Sequence, residues 1–255
     1  CSEVDFSCNQ QINILVPNKK ISYKYLTYSL STQLEQMKFL SNASTIGIMN
    51  QEKTKSIVLA LPPIEEQFLI NQFLDTVTIR IDNLISEKQN FIKLLQEKRQ
   101  ALISHVVTKG LNPNVPMKDS GVEWIGEIPE HWICNRLKQN LDEAMMYGAN
   151  EAALDSNLSH PRYIRITDMM NNGELKKDSY KSLSPDVAKP YLLKDGDVLL
   201  ARSGATVGKA FIYRDKFGES CFAGYLIKAS VNRIKLVPQF LYYITQSKFY
   251  WDYIG

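Results

Sequence analysis

IEEQFLINQFLDTVTIRIDNLISEKQNFIKLLQEKRQALISHVVTK, residues 64–109, runs without a proline or glycine, and its reading decides the fold. Leu74, Ile81, Lys88, Leu95 and Leu102 recur every seven residues. Ile70, Val77, Leu84, Phe91, Lys98 and His105 form a second series, offset by three or four. The two series together are the a/d seam of a coiled-coil-type helix, and Ile85 and Ile92 widen it. Glu65 and Glu66 in the first turn and Lys109-Gly110 at the end suit the helix dipole and a glycine C-cap. At 1.5 Å per residue such a helix extends on the order of 65 Å. It cannot bury its own apolar stripe, so it requires a partner.

On the N-terminal side, Leu61-Pro62-Pro63 ends whatever precedes the helix. Residues 1–62 combine β-like runs, INILV (12–16) and SIVLAL (56–61), with a helical stretch from Tyr23 to Phe39. On the other side, the polar, proline-containing segment Gly110–Ser120 reads as a linker. Residues 121–255 read as a separate mixed α/β domain. Its strands are expected at YIRIT (163–167), DVLLA (197–201) and KAFIY (209–213), with an aromatic helix over Pro238–Tyr253. The expected organisation is thus 1–62, a spacer helix over 63–110, a linker over 111–120, and a domain over 121–255. Its fold class is α+β, with mixed α/β domains joined by the long helix.

Composition narrows the class. With 44% hydrophobic and 22% charged residues the chain is an ordinary globular protein, and its net charge of +3 announces no partner. The distribution says more: between Arg202 and Lys248 eight basic residues face only Asp215 and Glu219. The four cysteines (Cys1, Cys8, Cys134, Cys221) and three histidines (His105, His131, His160) have neither zinc-site nor disulfide-framework spacing. No apolar run approaches a membrane span, so no membrane partner and a reducing, cytoplasmic setting are expected. A start at Cys1 and a stop inside FYWDYIG (249–255) read as a piece of a longer chain.

GATVGKA (204–210) invites a nucleotide-loop reading but lacks the P-loop spacing and its terminal hydroxyl residue. Asp195 and Asp197 flank a glycine before a buried strand and read as turn-formers, not metal ligands. There is no Asn-Pro-Pro-Tyr methyltransferase motif and no dinucleotide loop, so no catalytic centre is expected.

The chain also resembles itself. Ser7-Cys8 followed by INILV matches Ser220-Cys221 followed by YLIKA. After a two-residue shift, Tyr25-Leu26-Thr27-Tyr28 lies over Phe240-Leu241-Tyr242-Tyr243. Each copy reads as a strand, a short basic connection (17–20; 232–235) and an aromatic helix.

Residues 59–111 resemble the central conserved helix of type I restriction-modification specificity subunits. Pro62, Pro63, Glu66, Gln67, Asp82, Leu84, Ile85, Lys98, Leu102 and Ile103 carry the likeness. GVEWIGEIPEHW (121–132) resembles the entry to that family's target-recognition domain, through Trp124, Gly126, Pro129 and Trp132. The domain body is resembled by YIRITDMMNNGEL (163–175) and LKDGDVLLARSGATVGKAFIY (193–213), on Tyr163, Arg165, Asp168, Gly173, Gly196, Asp197, Arg202, Gly204 and Gly208. NASTIGIMN (42–50) resembles the end of a preceding recognition domain, with Ala43 and Met49 departing from the pattern.

The resemblance implies a non-catalytic, DNA-binding specificity subunit. Two recognition domains at opposite ends of two antiparallel helices each read half of a split site in double-stranded DNA. It implies methyltransferase subunits docked on the helices and, through them, a restriction motor. S-adenosylmethionine, Mg2+ and ATP then belong to those partners, and this chain holds no cofactor. The chain corresponds to the end of the first recognition domain, one helix, and most of the second domain. The missing second helix accounts for the unpaired seam, and a homodimer through that seam is a further expectation.

Affinity for DNA comes from cations on phosphates, and specificity from side chains that reach base edges. The candidate DNA-binding residues are Arg202, Ser203, Thr206 and Lys209 on the glycine-rich loop, with Arg162, Tyr163 and Arg165; the loop from Tyr147 to His160 is the alternative reader. The candidate docking stripe is Ile70, Leu74, Val77, Ile81, Leu84, Phe91, Leu95 and Leu102. Two other readings remain open: the recognition end of a fused restriction-methyltransferase polypeptide, and a coiled-coil interaction module without DNA binding.

Overall fold

A computed structural model describes residues 7–9, 12–41, 49–153 and 155–254. The chain divides into two compact units, Cys1–Ile92 and Lys93–Gly255, with the boundary inside the long helix.

In the first unit, α1 (Tyr23–Ser31), α2 (Leu34–Ser41) and α3 (Gln51–Lys55) precede α4 (Ile64–Lys109). α4 begins as Gln67 N–H donates to the Pro63 carbonyl and ends at Gly110, whose φ of 76° is the left-handed cap that glycine takes without strain. Its first turns carry a polar stripe at Gln67, Asn71 and Asp75, spaced by four so that they share one face. The fully buried Gln67 donates to Lys20 O (3.0 Å) and Pro62 O (2.8 Å) and accepts from Ser22 N–H (2.8 Å). Asn71 donates to Ser22 Oγ, and Asp75 holds both Lys24 (2.5 Å) and the Tyr28 hydroxyl (2.8 Å). These bonds fasten α1 to α4. The Gln67 of the family-like motif is therefore a structural clamp.

The pattern predicts one helix over Tyr23–Phe39, and the chain makes two. At the break, Ser31 Oγ and Thr32 Oγ1 donate back to the Tyr28 and Ser29 carbonyls, competing with the helical ladder. The two β-like runs are corrected as well: 12–16 and 56–61 form no strand. Asn13 donates to Met49 O, Tyr25 to Ala60 O, and Val58 N–H to Gln36 Oε1, so single side-chain ties stand where a ladder would be needed. Of the segment 42–50, residues 42–48 lie outside the described residues, as do Cys1 and Gly255.

In the second unit, β1 (Met117–Asp119) pairs antiparallel with β2 (Glu127–Pro129), so the end of the expected linker is structured. The central sheet has the order β3-β8-β5-β6, all antiparallel. Its strands are β3 (Met146–Tyr147), β5 (Val198–Ala201), β6 (Ala210–Ile212) and β8 (Leu226–Ala229). β4 (Arg162–Ile164) runs parallel to β7 (Ser220–Phe222), and α5 (Pro185–Ala188) lies between β4 and β5 in sequence.

β5 reads as an unbroken apolar run because both of its faces are covered. Leu199 packs with Ile164, Phe211, Phe222 and Leu226 on one side, and Val198 with Ile212, Ala229 and Leu241 on the other. Leu241 belongs to α6 (Pro238–Ile244), which α7 (Lys248–Ile254) follows. Here again one helix is predicted and two form. Thr245 Oγ1 and Ser247 Oγ donate to the Tyr242 and Ile244 carbonyls at the break.

The helix–break–helix half of the internal repeat is thus present in both units, at Thr32-Gln33 and Thr245-Gln246. Its strand half is present only in the second. The family-like entry residues brace this second pair of helices: Trp124 stacks on Tyr253 (4.9 Å) and Trp132 meets Phe240 edge-on (6.0 Å).

Candidate nucleic-acid interface

Three connections meet at one end of the central sheet: the exit of β3, the β5–β6 loop, and the β7–β8 turn. Their backbones are tied closely. Gly148 lies so near β7 that a Cβ would stand 2.2 Å from Phe222 O, so no side chain fits there. Gly224 N–H donates to Ala149 O at 2.7 Å, and Arg202 N–H to Tyr225 O at 3.1 Å. This framework presents Tyr147 (58% exposed) and Tyr225 (61% exposed), with the Arg202 guanidinium 4.5 Å from the Tyr147 ring centroid. A guanidinium over a tyrosine face is held by the ring quadrupole and by stacking, which limits its rotamers while leaving its donors free to reach outward.

The β5–β6 loop is pinned at its neck and open at its tip. Ala201 N–H donates to Lys209 O across the neck, and Gly208 N–H donates to Ala201 O. Tyr250 of α7 donates its hydroxyl to Gly208 O at 3.0 Å, and a Cβ at Gly208 would meet Ile254 at 2.8 Å. Gly204 and Gly208 both have positive φ, and nothing crowds Gly204. Ser203 is exposed and Thr206 half-buried. Arg202 therefore stands with Tyr147 and Tyr225 on an exposed, aromatic and cationic surface, and Ser203 and Thr206 follow it on the same loop. Lys209 sits at the neck, its Nζ donating to Met169 O at 2.9 Å.

The other three DNA candidates are engaged within the fold, two of them buried. Arg162 is buried in the framework, with Nη2 donating to Lys176 O at 2.6 Å and its guanidinium over the Tyr180 ring; burial pulls its pKa down. Tyr163 is 2% exposed, its hydroxyl donating to Ala149 O, and burial raises its pKa. Arg165 grips the buried Asp168 in a bidentate pair (3.0 and 2.8 Å), which raises the arginine's pKa. Ser179 also donates to Asp168, so this carboxylate is an internal junction. Sequence alone does not distinguish such framework arginines from surface ones. Tyr225 was missed for the opposite reason: only its place in a tight Gly-Tyr turn exposes it.

The acidic pair beside Gly196 behaves as a turn. Asp197 accepts from Lys194 N–H and Ser230 Oγ, while Asp195 lies 3.6–3.7 Å from Arg233 and Arg214. Among the described residues no group of three or more His, Cys, Asp or Glu could hold a metal ion.

Along α4 the seam changes character. Ile70, Leu74 and Val77 are half-buried within the first unit. Every residue from Ile81 to Leu102 is exposed, including Ile81, Leu84, Phe91, Leu95 and Leu102. No described helix is long and apolar enough to cross a membrane.

Comparison with known proteins gives these features a context. Residues 1–94 match the family model described as the type I restriction modification DNA specificity domain. The chain is 26% identical over 240 residues to the type I restriction enzyme MjaVIII specificity subunit of Methanocaldococcus jannaschii, covering 91% of this chain and 54% of that protein. It is 23% identical over 252 residues to the EcoBI specificity subunit of Escherichia coli, covering 95% and 52%. It spans about half the length of these relatives. A solved structure described under complex assembly and conformational transition of the type I R-M system shares the fold, with a TM-score of 0.51, 16% identity, and coverage of 87% of this chain and 49% of that one.

Proposed function

We propose that this chain, which belongs to the type I restriction-modification specificity-subunit family, binds double-stranded DNA through its second unit and docks modification subunits along α4. One observation carries the reading: Arg202 stacked on Tyr147 beside Tyr225, at the open end of a rigid sheet. A guanidinium can bond guanine in the major groove, and the tyrosines supply contact area at low entropic cost. Of the basic residues between Arg202 and Lys248, Arg214, Lys216, Lys228 and Arg233 are paired with acids from outside that stretch, so the support for the same partner comes from Arg202 itself.

In this reading the chain is a non-catalytic reader of one part of a split site. Methyl transfer and its S-adenosylmethionine, and the Mg2+ and ATP of the restriction motor, belong to partner subunits. The exposed seam from Ile81 to Leu102 is the surface those partners, or a second copy of the chain, would cover. The cytoplasm is the setting this reading proposes.

Analytical ultracentrifugation of the chain with its cognate modification subunit, with and without duplex DNA, tests the proposal. Co-sedimentation that extends to DNA is expected. A folded chain that sediments alone in both conditions would leave only an interaction module of other purpose.

A further inference from the structure

Arg99 has no part in the seam. Gln96, Arg99 and Gln100 are spaced i, i+3, i+4 and so share one face of α4. With Asn171, Lys209 and Gln246 they line a cleft of about 250 Å³ within the second unit, and no carboxylate lines it. Arg99 donates to Gln246 Oε1 and Lys209 to the Met169 carbonyl, so both cations are oriented by neutral oxygens. Several other cations of the unit meet acids, Lys228 with Glu143 (3.1 Å), Arg165 with Asp168 (2.8 Å) and Lys216 with Glu174 (2.5 Å), whereas Arg162 and Arg202 lie singly over tyrosine rings. Two oriented cations among side-chain amides, with no acid to neutralise them, make a site for an anion with several acceptor oxygens.

The position of Lys209 selects the anion. It closes the neck of the loop that Arg202 opens, the two residues being separated by one backbone pairing between Ala201 and Lys209. Duplex DNA carries a phosphate charge about every 1.7 Å of its axis, so a loop that reaches base edges has backbone phosphates beside its base. We propose that the Arg99–Lys209 cleft clamps a phosphodiester of the duplex backbone and thereby positions the Arg202 loop over the bases. The inference rests on the DNA-reading role proposed above and adds a division of labour to it: α4 supplies a sequence-independent contact, and the loop the sequence-dependent one.

The test is DNA binding by the full chain in complex with its modification subunit, read by fluorescence anisotropy between 50 and 200 mM salt on a preferred and an unrelated duplex. Arg99→Gln and Lys209→Gln are each expected to weaken both duplexes by the same factor, roughly three- to tenfold, and to reduce the slope of log K against log salt by about 0.9. Arg99→Lys, which keeps the charge but not the fork to Gln246, is expected to retain the slope. Inorganic phosphate is expected to displace DNA no better than chloride at equal ionic strength.

Unchanged slopes in both glutamine variants, or a loss confined to the preferred duplex, would overturn the clamp while leaving DNA reading intact. Loss of slope in Arg99→Lys as well would mean that Arg99 serves only to hold Gln246, and specific displacement by phosphate would assign the cleft to the free anion. A wild-type complex with no DNA affinity would overturn the DNA reading and the clamp together.

Discussion

The central sheet and the middle of α4 are both rich in large apolar residues, yet they end in opposite states. Val198, Leu199, Phe222 and Leu226 are completely buried, because β5 and its neighbours are covered on both faces by segments of the same unit. Leu84, Ile85, Phe91, Ile92 and Leu95 are about half exposed. A sheet with neighbours closes its core within one chain. A long helix with a heptad seam closes its core only against another helix. The difference separates residues that make the fold from residues that this chain leaves exposed, and each side makes its own predictions.

The largest effect is expected from Phe222→Ala, which opens a cavity in the sheet core and costs about 3–5 kcal/mol of the second unit's stability in denaturant titration. A loss below about 1 kcal/mol would mean that the core is not closed as described. Asp168→Asn follows, at about 2–3 kcal/mol, because it weakens the bidentate Arg165 pair and its charge-assisted bonds. Arg202→Ala inverts the pattern: the melting temperature stays, and affinity for a preferred duplex falls by roughly tenfold or more. Leu84→Ala combined with Leu95→Ala is expected to change the isolated chain's stability by less than about 0.5 kcal/mol per site. The same pair should abolish co-sedimentation with the modification subunit. Strong destabilisation of the lone chain would place the seam among the fold-making residues.

Titration sharpens the same contrast. Burial holds the Cys221 thiol up to about 12 and the Tyr250 hydroxyl up to about 12. Both groups stay protonated in the folded chain after the unfolded chain has begun to ionise, so the unfolded state binds fewer protons at high pH. Their contribution is complete below about pH 9 for Cys221 and pH 10 for Tyr250, and is lost as pH rises toward 12. Alkylation at pH 8 with peptide mass spectrometry should label the exposed Cys8 and Cys134 in the native chain and Cys221 only after unfolding.

Much of this fold is legible in the sequence where a local signal has no competitor. α4 is readable end to end because 46 residues without glycine or proline sit between a proline pair and a glycine cap. β5 and β6 are readable because β-branched, apolar runs sit between turn residues. What is illegible depends on partners distant in sequence. INILV looks like a strand, but no described strand offers it a ladder. The helix breaks at Thr32 and Thr245 are each accompanied by two hydroxyl groups that bond backwards, Ser31 with Thr32 and Thr245 with Ser247.

The candidate site divides in the same way. Arg202 and its loop are foreseeable from glycines and charge. The withdrawal of Arg162 and Arg165 into the framework is not, because it depends on Lys176, Asp168 and Ser179 folding over them. Nor is Tyr225, or the facing of Arg99 toward Lys209.

The central claim is that the sheet end bearing Tyr147, Arg202 and Tyr225 reads DNA sequence. The most direct measurement is selection from a random duplex pool by the chain in complex with its modification subunit, run in parallel with the Arg202→Ala and Tyr147→Ala variants. A defined word should be enriched by the wild type, with at least one of its positions relaxed in both variants while overall fold and complex formation persist. Enrichment of the same word at full stringency by both variants would contradict the claim, and so would the absence of any enriched word from an intact complex.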